Sequence, residues 1–373
     1  MKRKRVLFIM PSLSGGGAEK VLIDILRYTD YSLCEVDLCL ILNKGVYLNK
    51  IPIQVKYSYV YNRNERLLYK LHFFLAKYLD ITCFQSYRIR SVINKDYDTI
   101  VSFMEGIPVR FHNYLLSRGD INVSWVHTDL FANHYTGSYF RFYKEKSVYK
   151  MMDRIGFVSD DAKKNFIKLF DIQKQLATIY NPIDRKNIVL SSKENIIDKN
   201  KFTICCVGRL VSQKSYDRVV RLAYNLKKNG VNVDFWILGT GCLEMELRRL
   251  TLDLDVKDMI HFLGFQSNPY PYIASADLFL CTSQAEGYPL SICEALCLGK
   301  PIVSTSVTGP KEILGDSEFG MLSEQDDNAI YQNVMKMITD EKLMKSFAEK
   351  ARLRSESFNI KKVVNEIYKF ILK

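Results

Sequence analysis

Hydrophobic and polar positions along the chain form two kinds of block. Short apolar runs bounded by glycine, proline or polar residues predict buried strands, and longer segments with apolar residues at helical spacing predict helices. In the first half, the predicted strands are 5–10, 36–42, 99–103, 123–126 and 154–158, and the predicted helices are 18–28 and 162–170. Ser159 precedes the second of these helices and is a suitable N-cap. Strands and helices thus alternate.

The second half of the chain repeats this alternation. The predicted strands are 202–207, 233–238, 260–263, 278–281 and 301–304, and the predicted helices are 217–228, 243–250 and most of 328–373. Alternating strands and helices are typical of parallel sheets covered by helices on both faces. The polar, weakly periodic segment 186–200 predicts a linker between domains 1–185 and 201–355. The fold class is therefore α/β with two domains.

The charge of the chain is unevenly distributed. Of a net charge of +12, residues 1–190 carry 29 Lys and Arg against 18 Asp and Glu, whereas the remainder carries 24 against 23. A basic first half predicts an anionic partner, such as an anionic membrane surface or a phosphorylated lipid. No nucleic-acid-binding motif is present, so nucleic acid is not a predicted partner. No apolar run reaches the roughly 18 residues that a membrane-spanning helix needs.

Two glutamates eight residues apart dominate segment 283–301. Glu286 lies in a Gly/Pro turn and Glu294 in the predicted helix that follows, where Pro289 suits the first turn and Gly299 a left-handed C-terminus. A helix N-terminus attracts phosphate, and carboxylates accept hydrogen bonds from paired hydroxyls. The segment could therefore hold a nucleotide-sugar. The alternative is a surface helix with two solvated glutamates.

Two further blocks accompany this segment. Gly208 and Arg209 follow a predicted strand, with Lys214 five residues later, and two cations on so short a loop can both reach a diphosphate. The alternative is a pair of solvated basic residues. The third block is 303–314. The three blocks, in this order, resemble the signature of the retaining GT-B glycosyltransferases of family 4, glycosyl transferases group 1, whose members include bacterial capsule and lipopolysaccharide enzymes.

The resemblance implies a fold, a reaction and a location. Members have the GT-B fold, with two Rossmann-like domains, a cleft between them, and a C-terminal helix, here 356–373, that crosses back to the first domain. They move a sugar from a nucleoside-diphosphate-sugar to a hydroxyl acceptor without a covalent enzyme intermediate. For this chain a UDP-sugar donor, a glycan or polyprenyl-diphosphate-linked acceptor, and no cofactor or essential metal are expected. The expected location is the cytoplasm, peripherally on the inner face of the plasma membrane.

The same resemblance assigns roles to individual residues. Arg209 and Lys214 would neutralise the leaving diphosphate, Glu286 would hold sugar hydroxyls, and Glu294 would hold those of the ribose. His127, directly after a predicted strand, would lie beside the donor sugar as a positioning or charge-stabilising group, against the alternative of a structural loop histidine. Further donor-binding candidates are Gly16, Gly17, Gly208, Gly239, Gly241, Phe265, Gly287, Tyr288, Leu290 and Ser291. Gly15 and Glu105 are acceptor-binding candidates.

Other functions fit the sequence less well. The glycines at 15–17 lack the third glycine of a dinucleotide fingerprint, and the second predicted strand ends in Asn43-Lys44 rather than an acidic residue, which disfavours NAD. A silent GT-B partner would have lost the glutamate or cation pair, and a sugar-nucleotide epimerase should lack these blocks altogether. The pairs at 96–98 and 253–255 resemble a metal-binding Asp-x-Asp motif but are better explained as solvated turn residues.

Segment 66–90 mixes aromatic and basic residues at roughly helical spacing. Such a segment could lie on an anionic bilayer. The alternative is a helix whose apolar face packs into the core and whose basic face is solvated. The charge of the first half favours contact with the membrane.

Overall fold

The computed structural model describes residues 3–140, 144–173 and 175–372. These residues divide into two compact units. The first domain comprises Met1–Pro182 and Ile360–Lys373, and the second comprises Ile183–Asn359. Each domain has one parallel sheet with helices in the connections.

The described part of the first domain has seven strands, in the order β3-β2-β1-β4-β5-β6-β7, all parallel. The central strands of this sheet are apolar and buried, as expected because a parallel sheet is covered by other elements on both faces. Its elements are β1 (Lys4–Met10), α1 (Gly17–Tyr28), β2 (Cys34–Leu42), β3 (Lys56–Tyr61), α2 (Arg66–Tyr78), α3 (Cys83–Val92), β4 (Tyr97–Ser102), α4 (Ile107–His112), β5 (Gly119–Val126), α5 (Lys144–Lys150), β6 (Arg154–Phe157), α6 (Asp160–Phe170) and β7 (Leu176–Thr178).

The second domain repeats the plan with six parallel strands, in the order β10-β9-β8-β11-β12-β13. Its elements are α7 (Arg185–Ser191), β8 (Phe202–Val207), α8 (Tyr216–Lys228), β9 (Val233–Leu238), α9 (Glu244–Asp253), β10 (Ile260–Gly264), α10 (Tyr270–Ser275), β11 (Leu278–Cys281), α11 (Leu290–Cys297), β12 (Ile302–Thr305), α12 (Thr308–Leu314), β13 (Met321–Ser323), α13 (Asp327–Thr339) and α14 (Glu341–Glu356). The last helix, α15 (Ile360–Leu372), belongs to the first domain.

The segment predicted as a linker, 186–200, is not wholly a linker. Helix α7 occupies its start and belongs to the second domain, with Ile188 buried and the Asp184 side chain accepting a hydrogen bond from the Asn187 amide at 3.0 Å. The domain boundary lies at Pro182–Ile183 instead. A seven-residue helix spans only about two turns, so it leaves little periodicity for a sequence pattern to show.

The C-terminal helix α15 packs on the sheet of the first domain. Its residues Ile367 and Ile371 are buried, and the Ile371 carbonyl accepts a hydrogen bond from the Thr99 hydroxyl at 2.8 Å. The rings of Phe370 and Trp125 meet edge to face, with centroids 5.8 Å apart. An amphipathic helix at the end of the chain therefore completes the core of the domain in which the chain begins.

The stability of the first domain should depend on pH through His112. This histidine is fully buried between the Ser102 hydroxyl, at 3.2 Å, and the Asn122 side-chain oxygen, at 2.9 Å, and burial lowers its pKa to about 4. The unfolded chain binds a proton there below about pH 6.5, while the folded chain stays neutral. Stability should be full above about pH 6.5 and fall by about 1.4 kcal/mol per pH unit towards about pH 4.

Unfolding by denaturant across this pH range measures the effect. His112→Gln should make the pH dependence shallower by about one proton. An unaltered pH dependence in His112→Gln would contradict the assignment.

Candidate functional site

The predicted site residues of the second domain follow the carboxyl ends of its strands. Arg209 and Lys214 follow β8, Phe265 follows β10, and Glu286 lies between β11 and α11. The loop after β9 carries two further candidates, Gly239 and Gly241. Because all these strands are parallel, their carboxyl ends share one edge of the sheet, which is where open α/β sheets bind ligands.

A buried ion pair forms at this edge. The Lys214 ammonium contacts the Glu286 carboxylate, which also accepts a 2.6 Å hydrogen bond from the Ser283 hydroxyl. Burial by itself lowers the pKa of Lys214, but the charge of Glu286, together with Cys281 and the hydrogen bond to Glu286, outweighs it, so the net pKa lies above its usual value. Lys214 therefore carries a positive charge at neutral pH and is held at a fixed position.

Side chains of the neighbouring loops hold this pair in place. The Gln213 side chain donates a 2.7 Å hydrogen bond to the Ala285 backbone carbonyl. The Gln284 backbone amide donates to the Gln213 backbone carbonyl at 2.8 Å. The Thr282 hydroxyl donates to the Lys214 carbonyl at 3.0 Å. The sequence analysis gave no role to Gln213 or Ser283, although Gln213 directly precedes the lysine and Ser283 lies three residues before the glutamate.

Arg209 differs from Lys214 in being exposed and in forming no ion pair with any described residue. Its charge lowers the pKa of Lys214, as expected for a nearby cation. Gly208 adjoins the lysine, since a Cβ atom there would lie 3.4 Å from Lys214 Cε. The site thus combines a fixed, paired cation with an unpaired, solvent-accessible one.

Helix α11 places the second glutamate. The helix begins at Leu290. Pro289 is its N-cap and therefore lies one position before the first turn, in which the sequence analysis had placed it. Glu294 is buried, and Tyr270, which the sequence analysis did not single out, donates from its hydroxyl to Glu294 Oε1 at 3.4 Å. Gly287 and Tyr288 are buried, and Leu290 and Ser291 are half-buried.

The predicted left-handed C-terminus of this helix is confirmed. Gly299 has a φ of 64°, and its amide donates to the Leu296 carbonyl at 3.0 Å. The Lys300 amide donates to the Ala295 carbonyl, also at 3.0 Å. These two bonds form a Schellman motif, which ends the helix one turn after Glu294 and satisfies its last carbonyls.

The loop glycines after β9 have a structural role. A Cβ atom on Gly239 would lie 2.0 Å from the Gly208 carbonyl oxygen, and one on Gly241 would lie 2.1 Å from the Leu210 carbonyl oxygen. These close approaches hold the loop after β9 against the loop that carries Arg209. Phe265, by contrast, is an exposed aromatic ring at the end of β10. An exposed ring at this edge can stack on a planar ligand.

In the first domain, a side chain of helix α1 binds the backbone of the glycine loop between β1 and α1. The Glu19 carboxylate accepts hydrogen bonds from the amides of Gly15, at 2.6 Å, and Gly16, at 2.8 Å, and α1 begins at Gly17. The sequence analysis gave Gly15 and Gly16 as ligand-binding candidates, whereas here their amides are bound by Glu19. A glutamate three residues after the N-cap is a capping-box signal that would have identified this closure.

Glu105 binds the backbone beside His127. It is buried, one carboxylate oxygen accepts from the His127 amide at 2.8 Å, and the other accepts from the Tyr135 hydroxyl at 2.8 Å. Both oxygens therefore have protein partners, which differs from the predicted contact with acceptor hydroxyls. Glu105 positions the loop that begins at His127.

The His127 ring is edge-on to Phe103, with centroids 4.9 Å apart. Its Nε2 atom is buried and has no hydrogen-bond partner among the described residues. Burial lowers the pKa of His127 to about 4, so the ring is neutral at physiological pH. A neutral imidazole with one unsatisfied nitrogen can donate or accept a single hydrogen bond.

No group of three or more histidine, cysteine, aspartate or glutamate side chains is placed to bind a metal ion in the described residues. In the first Asp-x-Asp pair, Asp98 accepts a 2.8 Å hydrogen bond from the Arg5 amide and Asp96 pairs with Arg118. In the second pair, Asp255 pairs with Lys227. All three aspartates thus bind neighbouring groups of the protein.

Comparison with known proteins finds a family model and several relatives that match part of the chain. Residues 189–354 match the family model described as glycosyl transferases group 1. A Campylobacter jejuni N-acetylgalactosamine-N,N'-diacetylbacillosaminyl-diphospho-undecaprenol 4-alpha-N-acetylgalactosaminyltransferase is 34% identical over 212 residues, which are 56% of this chain and 57% of that protein. An Escherichia coli UDP-Gal:alpha-D-GlcNAc-diphosphoundecaprenol alpha-1,3-galactosyltransferase is 28% identical over 201 residues, 53% of this chain and 50% of its own length. The chain thus spans about half the length of these curated relatives.

Solved structures match over almost the whole chain. Anabaena Alr3699/HepE in complex with UDP and glucose has a TM-score of 0.76 at 18% identity, covering 98% of this chain and 99% of its own. WaaG, a glycosyltransferase involved in lipopolysaccharide biosynthesis, has a TM-score of 0.72 at 15% identity, with coverage of 98% and 99%. The chain therefore has the GT-B fold, as predicted. Residues 189–354, which lie within the second domain, match the family model of glycosyl transferases group 1.

Proposed function

We propose that this chain is a retaining glycosyltransferase that transfers a sugar from a nucleoside-diphosphate-sugar to a hydroxyl of a glycan or polyprenyl-diphosphate-linked acceptor. The observation that carries the proposal is the set of charges at one sheet edge of the second domain. The paired Lys214, the exposed Arg209 and the start of α11 all follow carboxyl ends of its parallel strands. The family match to this domain supports the same assignment.

Positive charge at this edge suits a leaving diphosphate. Lys214 is already charged and fixed by Glu286, and Arg209 is free to form a bidentate contact with phosphate oxygens. The first amides of α11 add partial positive charge, because the N-terminus of a helix attracts anions. Such preorganised charges stabilise the negative charge that develops as the sugar leaves.

The glutamates bind hydroxyl groups in this proposal. Glu286 keeps its partners Lys214 and Ser283 while its carboxylate faces the sugar, and Glu294 accepts hydrogen bonds from the ribose. The acceptor oxygen bonds to the anomeric carbon as the bond to the diphosphate oxygen breaks, and the departing phosphate takes the acceptor proton. His127, with its pKa lowered to about 4 by burial, is neutral and positions the donor sugar rather than transferring a proton.

A UDP-sugar is the favoured donor. The E. coli relative is named for UDP-Gal, and HepE was solved in complex with UDP. Two relatives are named for diphospho-undecaprenol acceptors, which supports a lipid-linked acceptor here. Action without a metal or other cofactor, and a place on the cytoplasmic face of the plasma membrane, complete the proposal. No described helix is long and apolar enough to span a bilayer.

Donor binding and turnover test the proposal. Thermal shift and hydrolysis assays across a panel of UDP- and GDP-sugars should show one donor that stabilises the protein or turns over slowly, with a chelator present or absent. Glu294→Gln should weaken binding of that donor by about 10- to 100-fold, because each lost hydrogen bond to a charged acceptor is worth about 1.5–3 kcal/mol. Glu294→Ala should weaken it at least as much.

Glu246→Ala, at an exposed position of α9, is the matched control and should bind the donor like the wild type. Failure of every donor to bind the folded wild-type protein would favour a catalytically silent GT-B subunit instead. Loss of activity on chelation would exclude the metal-independent mechanism.

A further inference from the structure

Helix α2 of the first domain has an apolar stripe on its solvent side. Leu67, Leu71, Phe74 and Tyr78 are 81%, 52%, 52% and 55% exposed. At 3.6 residues per turn these four positions lie within about 60° of one another. The Phe74 and Tyr78 rings contact each other, with centroids 5.0 Å apart. The helix therefore presents a continuous row of large apolar side chains to solvent.

The opposite side of α2 is already packed against the domain. His72 and Ala76 are buried there, about half a turn from the stripe. The Tyr61 hydroxyl lies 3.0 Å from His72 Nδ1. The stripe is thus a second apolar face of a helix whose core face is filled. Contiguous exposed apolar surface of this kind marks an interaction site.

The charge around the stripe is positive. Arg66, Lys70 and Lys77 lie along one flank, about a quarter turn from the stripe, and form no ion pair with described residues. Helix α2 itself has no acidic residue. The two acidic residues of segment 62–91 are both paired, Glu65 with Arg88 at 2.6 Å and Asp80 with Lys144.

Side-chain contacts connect the inner face of α2 with the loop that holds His127. Phe73 meets Tyr139 edge to face, with centroids 5.9 Å apart. Tyr139 covers Gly106 so closely that a Cβ atom there would lie 2.8 Å from the ring. Gly106 follows Glu105, which binds the His127 amide. All these residues belong to the first domain, so side-chain contacts connect α2 with the loop that begins at His127.

We infer that the α2 stripe is a docking surface for an anionic phospholipid bilayer. The inference rests on the proposed function, because a lipid-linked acceptor must be taken from a membrane. A bilayer offers what the stripe and its flank require: an apolar interior for Leu67, Leu71 and Phe74, and anionic headgroups for the cations. Tyr78 at the C-terminal end has an apolar ring and a polar hydroxyl, which suits the interface.

Vesicle sedimentation with the full chain tests the inference. The protein should bind phosphatidylcholine vesicles that contain phosphatidylglycerol and should not bind vesicles of phosphatidylcholine alone. Leu71→Ser with Phe74→Ser should lower the partition coefficient by more than about tenfold, given the apolar surface withdrawn from the bilayer. Lys70→Gln with Lys77→Gln should lower it by about tenfold or more, because each cation near an anionic surface contributes to binding.

The matched controls lie in the second domain. Leu252→Ser with Leu353→Ser replaces two leucines that are 59% and 63% exposed, and Lys228→Gln with Lys257→Gln removes two exposed lysines. Both should bind vesicles like the wild type. Equal losses in the controls and the α2 variants, or no binding by the wild type, would overturn the inference.

Two further measurements separate the other outcomes. If Leu71→Ser with Phe74→Ser converts a dimer to a monomer in light scattering and vesicle binding is unchanged, the stripe binds a second copy of the chain and the inference is wrong. Binding of the soluble UDP-sugar donor should be unchanged in all α2 variants. Donor binding without vesicle binding would therefore reject the docking surface alone, whereas vesicle binding without donor binding would reject the proposed function alone.

Discussion

Arg209→Ala is expected to lower kcat by about a hundred- to a thousandfold, the effect typical of removing one preorganised charge from a developing anion. Arg209 is exposed and forms no ion pair with described residues, so its removal should leave the melting temperature unchanged. The loss should therefore be purely catalytic. Initial rates at saturating donor, together with thermal unfolding, measure the two quantities separately.

Arg249→Ala is the matched control for this variant. Arg249 is an exposed arginine on α9, 3.8 Å from Asp253, and its removal should affect neither rate nor stability. Arg209→Lys should retain part of the activity, since a lysine keeps the charge but loses the bidentate geometry. A full rate in Arg209→Ala would remove Arg209 from the proposed mechanism.

Lys214→Ala is expected to reduce both activity and stability. The side chains of Lys214 and Glu286 are only 19% and 8% exposed, so removing the lysine leaves a buried carboxylate that keeps its hydrogen bond from the Ser283 hydroxyl but loses its ion pair. Breaking a buried ion pair from one side typically costs about 3–5 kcal/mol. We expect a loss of about 3 kcal/mol in the free energy of unfolding of the second domain, measured by denaturant titration.

Two comparisons isolate the cause of that loss. Lys345→Ala breaks the pair with Glu341, whose side chains are 73% and 81% exposed, and should leave the stability almost unchanged because solvent screens an exposed pair. Lys214→Met combined with Glu286→Gln removes both charges and should recover most of the stability without recovering activity. If Lys214→Ala is as stable as the Lys345 variant, the buried pair does not stabilise the domain.

The strand pattern shows where prediction from the sequence succeeded and where it did not. Central strands such as β8 and β9 were predicted with the bounds that the structure has, because they are apolar and buried on both faces. The sequence analysis missed β3, β7 and β13, which are edge strands of the two sheets. An edge strand pairs on one side only and can be short or polar, so its pattern is weak.

For the candidate site as well, the sequence predicted some features and missed others. Their order along the chain indicated the family, and the match to residues 189–354 agrees with it. The sequence analysis did not use the capping-box signal by which Glu19 binds the amides of Gly15 and Gly16, and the sequence did not indicate that Glu105 would bind the amide of His127. Isolated carboxylates give no sign of their partners when the partners are backbone groups.

The sequence by itself determined the alternation of strands and helices, the parallel sheets, and the identities of the cations and glutamates, because these depend on local periodicity and residue type. Only the tertiary structure decided that Lys214 pairs with Glu286, 72 residues away, and that α2 has a second apolar face. Such contacts depend on which surfaces the fold brings together. Burial and pairing between distant residues leave no periodic trace in a single chain.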